Sequence, residues 1–200
     1  MIQGTDRLHQ IVNSMLDVAR LESEVLMPHL EAVTLGPLLR LIAKDYAEDL
    51  QTRQLTLELD PAINSAPPIL ADTELMKKVF DNVIVNAIKF TPDGGKVTVS
   101  AERVNVPGRG EYCEIRVKDS GIGIDPANHI IIFEKLYQIG KVELHSSGRT
   151  KFKGGGPGLG LAIAAGIVKA HQGKIWVESL GHDEEKLSGS TFFIQIPVAR

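Results

Sequence analysis

Apolar residues recur along this chain with two different periods. From residue 5 to 27 the period is helical. Leu8, Ile11, Met15 and Val18 follow a three-four-three spacing, and Val12, Leu16, Ala19 and Leu21 widen the stripe. Asp17, Arg20, Glu22 and Glu24 interrupt it, and Pro28 closes it. A stripe this broad suits a helix bundle better than a lone surface helix. The segment reads as a helix–helix association element, with a helix folded back on the main domain as the alternative. A second helix is predicted over 36–53, with Thr34 as N-cap, Pro37 tolerated near its start, and Leu38, Leu39, Ile42, Tyr46 and Leu50 as its apolar face. Leu55 to Leu59 then alternates, which predicts a strand. Ala66 to Ala71 reads as a turn leading into a short edge strand.

Asp72 is placed to cap a third helix running to about Phe90 through Leu75, Val79, Val83, Ile84 and Ala87. After the turn Asp93-Gly-Gly95, two strands over Val97–Val104 and Tyr112–Val117 form a predicted hairpin. Residues 120–158 show little pattern beyond Ile130 to Phe133, and they carry Lys135, Lys141, Arg149, Lys151 and Lys153. So long an irregular stretch inside a compact domain points to function or mobility. Leu159 to His171 reads as a helix with Gly173 as its C-terminal cap. Strands are predicted over Lys174–Ser179 and Thr191–Pro197. Paired strands with interspersed helices, without alternating βαβ units, predict an α+β fold: a mixed sheet covered by helices on one face.

With 200 residues, 43% of them apolar, the chain has enough material for a full core and an appendage. A net charge of −3 gives no general attraction to nucleic acid or anionic lipid. Cys113, the only cysteine, excludes an internal disulfide and reads as a buried thiol, in keeping with a reducing compartment. No run approaches the ~18–20 apolar residues needed to span a bilayer, and the N-terminus lacks signal-peptide character. The expectation is a cytoplasmic fragment whose longer parent would be free to carry a membrane anchor.

Polar and glycine-rich residues interrupt this pattern in a fixed order. Asn82, Asn86 and Lys89, spaced four and three apart, share one helix face opposite Val79, Val83, Ile84 and Ala87. Asparagine is a poor interior helix former, so two on one face suggest ligation or a cap network. A carboxamide oxygen suits a hard cation, and a lysine suits phosphate. The alternative is a solvated face. Asp119 ends a strand before Gly121 and Gly123, where a carboxylate can accept the exocyclic amine of adenine and the glycines let backbone approach a flat ligand. The alternative is an ordinary turn. Gly154 to Gly160 opens a helix, whose free N–H groups bind phosphate. A flexible linker is the alternative, and neither the dinucleotide fingerprint nor Walker A is matched. The six histidines show no metal-site spacing. His171, near a helix end, reads as structural.

As an ordered set these segments resemble the ATP-binding catalytic region of a sensor histidine kinase, in the wider family shared with type II topoisomerases, heat-shock chaperone ATPases and mismatch-repair ATPases. Asn82-Val-Ile-Val-Asn86-Ala-Ile-Lys89-Phe90-Thr-Pro92 resembles the family's asparagine box, and Asp119-Ser-Gly-Ile-Gly-Ile124 its first glycine box. Ile132-Phe-Glu-Lys-Leu-Tyr137 resembles its phenylalanine box. Gly156-Pro-Gly-Leu-Gly-Leu161 and Gly189-Ser-Thr-Phe192 resemble its later glycine segments. The match runs over about residues 34–198. It implies a two-layer α/β sandwich of the Bergerat type over 31–200, with ATP and Mg²⁺ as cofactors. Asn86 would hold the metal, and Asn82 and Lys89 would contact phosphates; these three form the implied catalytic set. Phe90 would line the adenine pocket and Asp119 would bind its amine. Further nucleotide contacts are implied for Gly121, Gly123, Ile124, Phe133, Tyr137, Gly156, Gly158, Leu159, Gly160, Leu161 and Thr191. Residues 134–155 would form a lid.

Residues 1–30, with Asn13-Ser-Met-Leu-Asp-Val-Ala-Arg-Leu-Glu22, resemble the second helix of the kinase dimerisation hairpin. The phosphoacceptor histidine of the first hairpin helix has no counterpart in this sequence. The resemblance therefore implies γ-phosphoryl transfer to a histidine on another segment, a response-regulator receiver domain as partner, and a homodimeric parent. Related ATPases place a glutamate one turn before the metal-binding asparagine to activate water. Asn82 stands there instead, which favours a kinase. The alternative is an ATPase, or a degenerate nucleotide-binding interaction module, of the same fold.

Overall fold

A computed structural model of the chain describes residues 12, 15, 16, 19, 26–137, 150–154 and 158–200. The elements in order are β1 (Glu31–Val33), α1 (Leu35–Asp45), α2 (Ala47–Thr52), β2 (Thr56–Leu59), β3 (Ile69–Ala71), α3 (Thr73–Phe90), β4 (Lys96–Val106), β5 (Gly110–Asp119), α4 (Gly160–Ala170), β6 (Lys174–Glu178) and β7 (Ser190–Pro197). Short 3-10 turns stand at Pro61–Ser65, Pro126–Asn128 and Ile131–Phe133. The main sheet has the order β2-β4-β5-β7-β6. Its β2–β4 pair is parallel and the rest are antiparallel. The expected mixed sheet is thus present. β1 and β3 form a separate antiparallel ribbon.

Strand alternation decides which face the helices cover. Register places Val99, Val117 and Phe192 in one row and Ala101, Ile115 and Ile194 in the next, all buried. Against this face pack the buried residues of α1 (Leu38, Leu39, Ile42), α3 (Met76, Val79, Phe80, Val83, Ile84, Ala87) and α4 (Ile163, Ala164, Ile167, Val168). Cys113 belongs to this core, and burial pushes its thiol up to about 12, so it is inert. The opposite sheet face is polar apart from a stack of Trp176 on Phe193, with ring centroids 4.9 Å apart. Lys174 lies over the indole and Arg116 over the phenyl ring, so cations cover this aromatic pair.

Several expectations change in detail. The helix predicted over 36–53 is two helices broken at Tyr46, whose φ of −103° and ψ of 3° leave the helical region. Tyr46 and Leu50 are both buried, as the apolar face predicted. β1, only three residues long, is too short to carry a period. The left-handed position after α4 is taken by Gln172 (φ 57°), not by Gly173. Gln172 N–H donates to Lys169 O and Gly173 N–H to Val168 O, a Schellman closure. Gly173 is needed for another reason: a Cβ there would stand 2.4 Å from Gln195 O on β7. In the predicted N-terminal helix, Val12, Met15, Leu16 and Ala19 are helical and exposed; the rest of it lies outside the described residues.

His171 is structural, as expected. It is 2% exposed. Its Nδ1–H donates to Ile167 O at 2.8 Å, and its Nε2 accepts the Asp72 N–H at 3.0 Å. It thereby ties the end of α4 to the residue that caps α3. A His171→Ala substitution leaves the Asp72 N–H without its acceptor and opens a cavity. The expected cost is about 2–4 kcal/mol. Urea unfolding should show a lower midpoint at unchanged slope.

Candidate functional site

The site is assembled around α3. Asp72 caps this helix: its Oδ1 accepts Leu75 N–H at 3.1 Å and its Oδ2 accepts His29 N–H at 3.0 Å. With Val79, Val83, Ile84 and Ala87 against the sheet, helical geometry leaves Asn82, Asn86 and Lys89 together on the half-buried outer face. Among the described residues neither carboxamide has a hydrogen-bond partner, and neither is sealed from solvent. Lys89 has no carboxylate partner there either. Its Nζ lies 5.7 Å from the centre of the Phe90 ring, and burial pulls its pKa below the usual lysine value. Two free amides and a partly desolvated ammonium on one face form a donor set for an anion with a hard cation.

The last carbonyls of α3 have no N–H donor inside the helix, yet each finds a donor outside it. Thr91 Oγ1 donates to Ala87 O at 2.7 Å. Arg53 Nη1 donates to Ile88 O at 2.7 Å and its Nη2 to Thr91 O at 2.6 Å. Lys153 N–H donates to Lys89 O and Ile122 N–H to Phe90 O. Arg53 Nη1 also donates to Thr150 O at 2.7 Å. One guanidinium therefore joins the end of α3 to the 150–154 segment.

Asp119 ends β5 and is 5% exposed. Its Oδ1 accepts Gly121 N–H at 2.9 Å and Ser190 N–H at 3.2 Å. Oδ2 has no donor among the described residues and is not sealed from solvent. Burial raises this carboxyl to about 6, against the opposing pull of the two backbone N–H groups. Gly121 packs on the end of α3 so closely that a Cβ would stand 2.3 Å from Phe90 O. Gly123 has φ +73°, and a Cβ there would meet Gly181 O at 2.0 Å. Ile124 is half-buried against the core.

The third wall is the start of α4. A Cβ on Gly160 would stand 2.9 Å from Asn82 Oδ1, so the start of α4 lies directly against this carboxamide. α4 has no side-chain cap, and its first-turn N–H groups lack intrahelical acceptors. Leu159 is buried and Leu161 half-buried, while Gly158 O accepts Leu136 N–H at 2.9 Å. Phe133 meets Phe192 edge to face at 6.4 Å, and Tyr137 Oη donates to Asn128 Oδ1 at 2.8 Å.

The structure thus brings Asn82, Lys89, Phe90, Asp119, Gly121 and Gly160 into one neighbourhood, with Asn86 on the shared face of α3. Thr191 lines the same hollow as Asp119 but falls on the other face of the sheet. It pairs with Lys118 and Glu178 on the open face of the sheet, and Ser190 is the residue beside Asp119. Strand alternation is the reason, since a slip of one residue changes the face. Gly156 and most of the segment 134–155 lie outside the described residues. Arg53 and Ser179, whose Oγ accepts Ile124 N–H at 3.0 Å, were not singled out by any periodicity or motif.

The profile of the family described as histidine kinase-, DNA gyrase B-, and HSP90-like ATPase matches residues 71–200. Drug sensory protein A of Synechocystis sp. is 35% identical over 204 residues, covering 97% of this chain and 28% of that protein. Sensor histidine kinase WalK of Bacillus subtilis is 32% identical over 186 residues, covering 88% of this chain and 27% of that protein. The chain thus spans less than a third of the length of these curated relatives. The crystal structure of full-length ShkA in complex with AMPPNP superposes with a TM-score of 0.76 at 27% identity, over 97% of this chain and 36% of that one. By the family match over most of its length and by this fold, the chain belongs to the histidine kinase-, DNA gyrase B- and HSP90-like ATPase family, as an ATP-binding domain of the sensor histidine kinase kind.

Proposed function

We propose that this chain is the catalytic part of a two-component sensor histidine kinase. In this reading it binds ATP with Mg²⁺ and directs the γ-phosphoryl group to a histidine on a dimerisation hairpin outside the catalytic domain. The observation that carries the reading is the convergence of unpaired donors and acceptors on one neighbourhood. Asn82, Asn86 and Lys89 line one face of α3, Gly160 reaches Asn82, and Asp119 presents a carboxylate oxygen with no donor among the described residues. The ligand seen in the related ShkA structure, a nonhydrolysable ATP analogue by its name AMPPNP, is of the same chemical class.

The free carboxamide of Asn86 fits a hard cation that takes its remaining ligands from phosphates and water. When bound, Mg²⁺ would neutralise triphosphate charge. Lys89 adds a desolvated positive charge at the same end, and Asn82 donates from one turn away. Asp119 accepts the adenine amine, while a guanine carbonyl would face its charge. Catalysis by these residues is positioning and electrostatics. No carboxylate stands at position 82 to activate water, so the γ-phosphoryl group is kept for the histidine. Residues 1–30 are assigned to the second helix of the hairpin and 31–200 to the catalytic domain. The partners are the hairpin, a receiver domain and a second copy of the parent chain.

The test supplies a hairpin domain bearing the histidine and follows phosphoryl transfer, with Asn86→Ala beside the wild type. The substitution is expected to cut transfer by about a hundredfold or more and to abolish the Mg²⁺ dependence of nucleotide affinity. Rapid hydrolysis without any acceptor would support an ATPase instead. Failure to bind ATP would leave an interaction module.

A further inference from the structure

The loop that follows β6 holds the whole segment 119–124. Gly189 N–H donates to Gly121 O at 2.9 Å and Asp183 N–H to Ile122 O at 2.8 Å. Ser190 N–H donates to Asp119 Oδ1. Gly189, at φ +67°, lies so close that a Cβ would stand 2.4 Å from Asp119 O. One side chain connects these contacts. Ser179 Oγ accepts Ile124 N–H at 3.0 Å, donates to Gly189 O at 2.6 Å, and has Gly181 O as a second acceptor at 3.4 Å. The same oxygen would stand 3.0 Å from a Cβ on Gly123.

We propose that Ser179 is a positioning residue for the adenine end of the site. The inference rests on the nucleotide reading above. Asp119 is held by Gly121 N–H on one side and Ser190 N–H on the other, and both donors sit on strands of chain that this hydroxyl pins together. With the hydroxyl, Ile124 and Gly189 are held at a fixed separation. Without it, an N–H and a carbonyl lose their partner, the two segments are tied only by backbone bonds, and the two donors that aim the carboxylate are held less firmly. The triphosphate end, built on α3 and α4, has no bond to Ser179.

This division sets the test. Affinities of AMP-PNP·Mg²⁺ and of inorganic tripolyphosphate·Mg²⁺ are measured by calorimetry for the wild type, Ser179→Ala and Ser179→Thr, with thermal unfolding of each. Ser179→Ala is expected to weaken AMP-PNP by about tenfold and to leave tripolyphosphate within about twofold. Ser179→Thr, which keeps the hydroxyl, should recover most of the loss. In the transfer assay the KM for ATP should rise while kcat at saturation holds. Equal AMP-PNP affinity in wild type and Ser179→Ala overturns the inference, as does a parallel loss for both ligands. A wild type that binds tripolyphosphate and AMP-PNP equally overturns the adenine reading itself, and this inference with it.

Discussion

Asp119→Asn is expected to stabilise the unliganded protein at pH 8 and to destroy adenine recognition. The carboxyl of Asp119 is raised from 3.8 to about 6, first by burial, with the backbone N–H groups of Gly121 and Ser190 pulling the other way. A group whose folded pKa lies above its unfolded value holds its proton more tightly in the folded state. Its ionised form therefore costs stability above about pH 6, and the cost disappears as pH falls below the unfolded value. At 1.36 kcal/mol per unit, the shift corresponds to roughly 2–3 kcal/mol. Asparagine is isosteric and carries no charge. Denaturant unfolding at pH 8 should show the variant more stable by about that amount, and the gain should vanish near pH 4. Other titrating groups are common to both proteins and cancel. In the variant, the amide oxygen keeps the two backbone N–H groups and the amide NH₂ takes the free position. A donor then faces the adenine amine, and affinity should fall by about a hundredfold or more. A gain of equal size at both pH values would refute the burial cost. A residue that lowers stability and is needed for binding marks a site held under strain for function.

The parts of this fold that were legible in the sequence are those written within one element. α3 shows its apolar face and its polar face in eighteen consecutive residues, with its N-cap Asp72 just before them, and the structure keeps all three. Asp119 with Gly121 and Gly123 was legible for the same reason, as a strand end and its own turn. What was not legible depends on contacts between distant segments. Arg53 follows a short helix and has the local pattern of a solvated side chain, yet it reaches Thr150, 97 positions away. Ser179 reads as the polar end of a strand, and its partner Ile124 lies 55 positions earlier. Thr191 illustrates a third limit. Composition places a hydroxyl residue after Gly189, but which of Ser190 and Thr191 faces Asp119 depends on strand phase, which only the register reveals. Tyr46 is a fourth case: both halves of 36–53 are helical by pattern, and nothing in the local sequence marks the break at Tyr46.

Arg53→Met should cost about 3–5 kcal/mol, among the largest single effects outside the apolar core. Arg53 is 8% exposed, and its guanidinium donates to Ile88 O, Thr91 O and Thr150 O as well as to Asp93. Methionine fills similar volume, so the loss isolates the donors rather than a cavity. Three carbonyls are left without this partner, and the positive charge at the C-terminal end of the α3 dipole is lost. Lysine restores the charge as a single point but cannot fork to carbonyls on two segments, so Arg53→Lys should recover less than half of the loss. The Asp93 ion pair contributes little to this sum, because the Asp93 side chain is 68% exposed. Asp93→Asn should cost about 1 kcal/mol or less. Urea unfolding of the three variants gives the ranking, and hydrogen exchange locates the change. In Arg53→Met, faster exchange should appear in the last turn of α3 and in residues 150–154 before any change in β5 or β7. That turn carries Lys89 and Phe90, so nucleotide affinity should fall in the same variant even at temperatures where it remains folded. If Arg53→Met unfolds within 1 kcal/mol of the wild type, the four bonds do not anchor the end of α3, and its position must be set by packing alone.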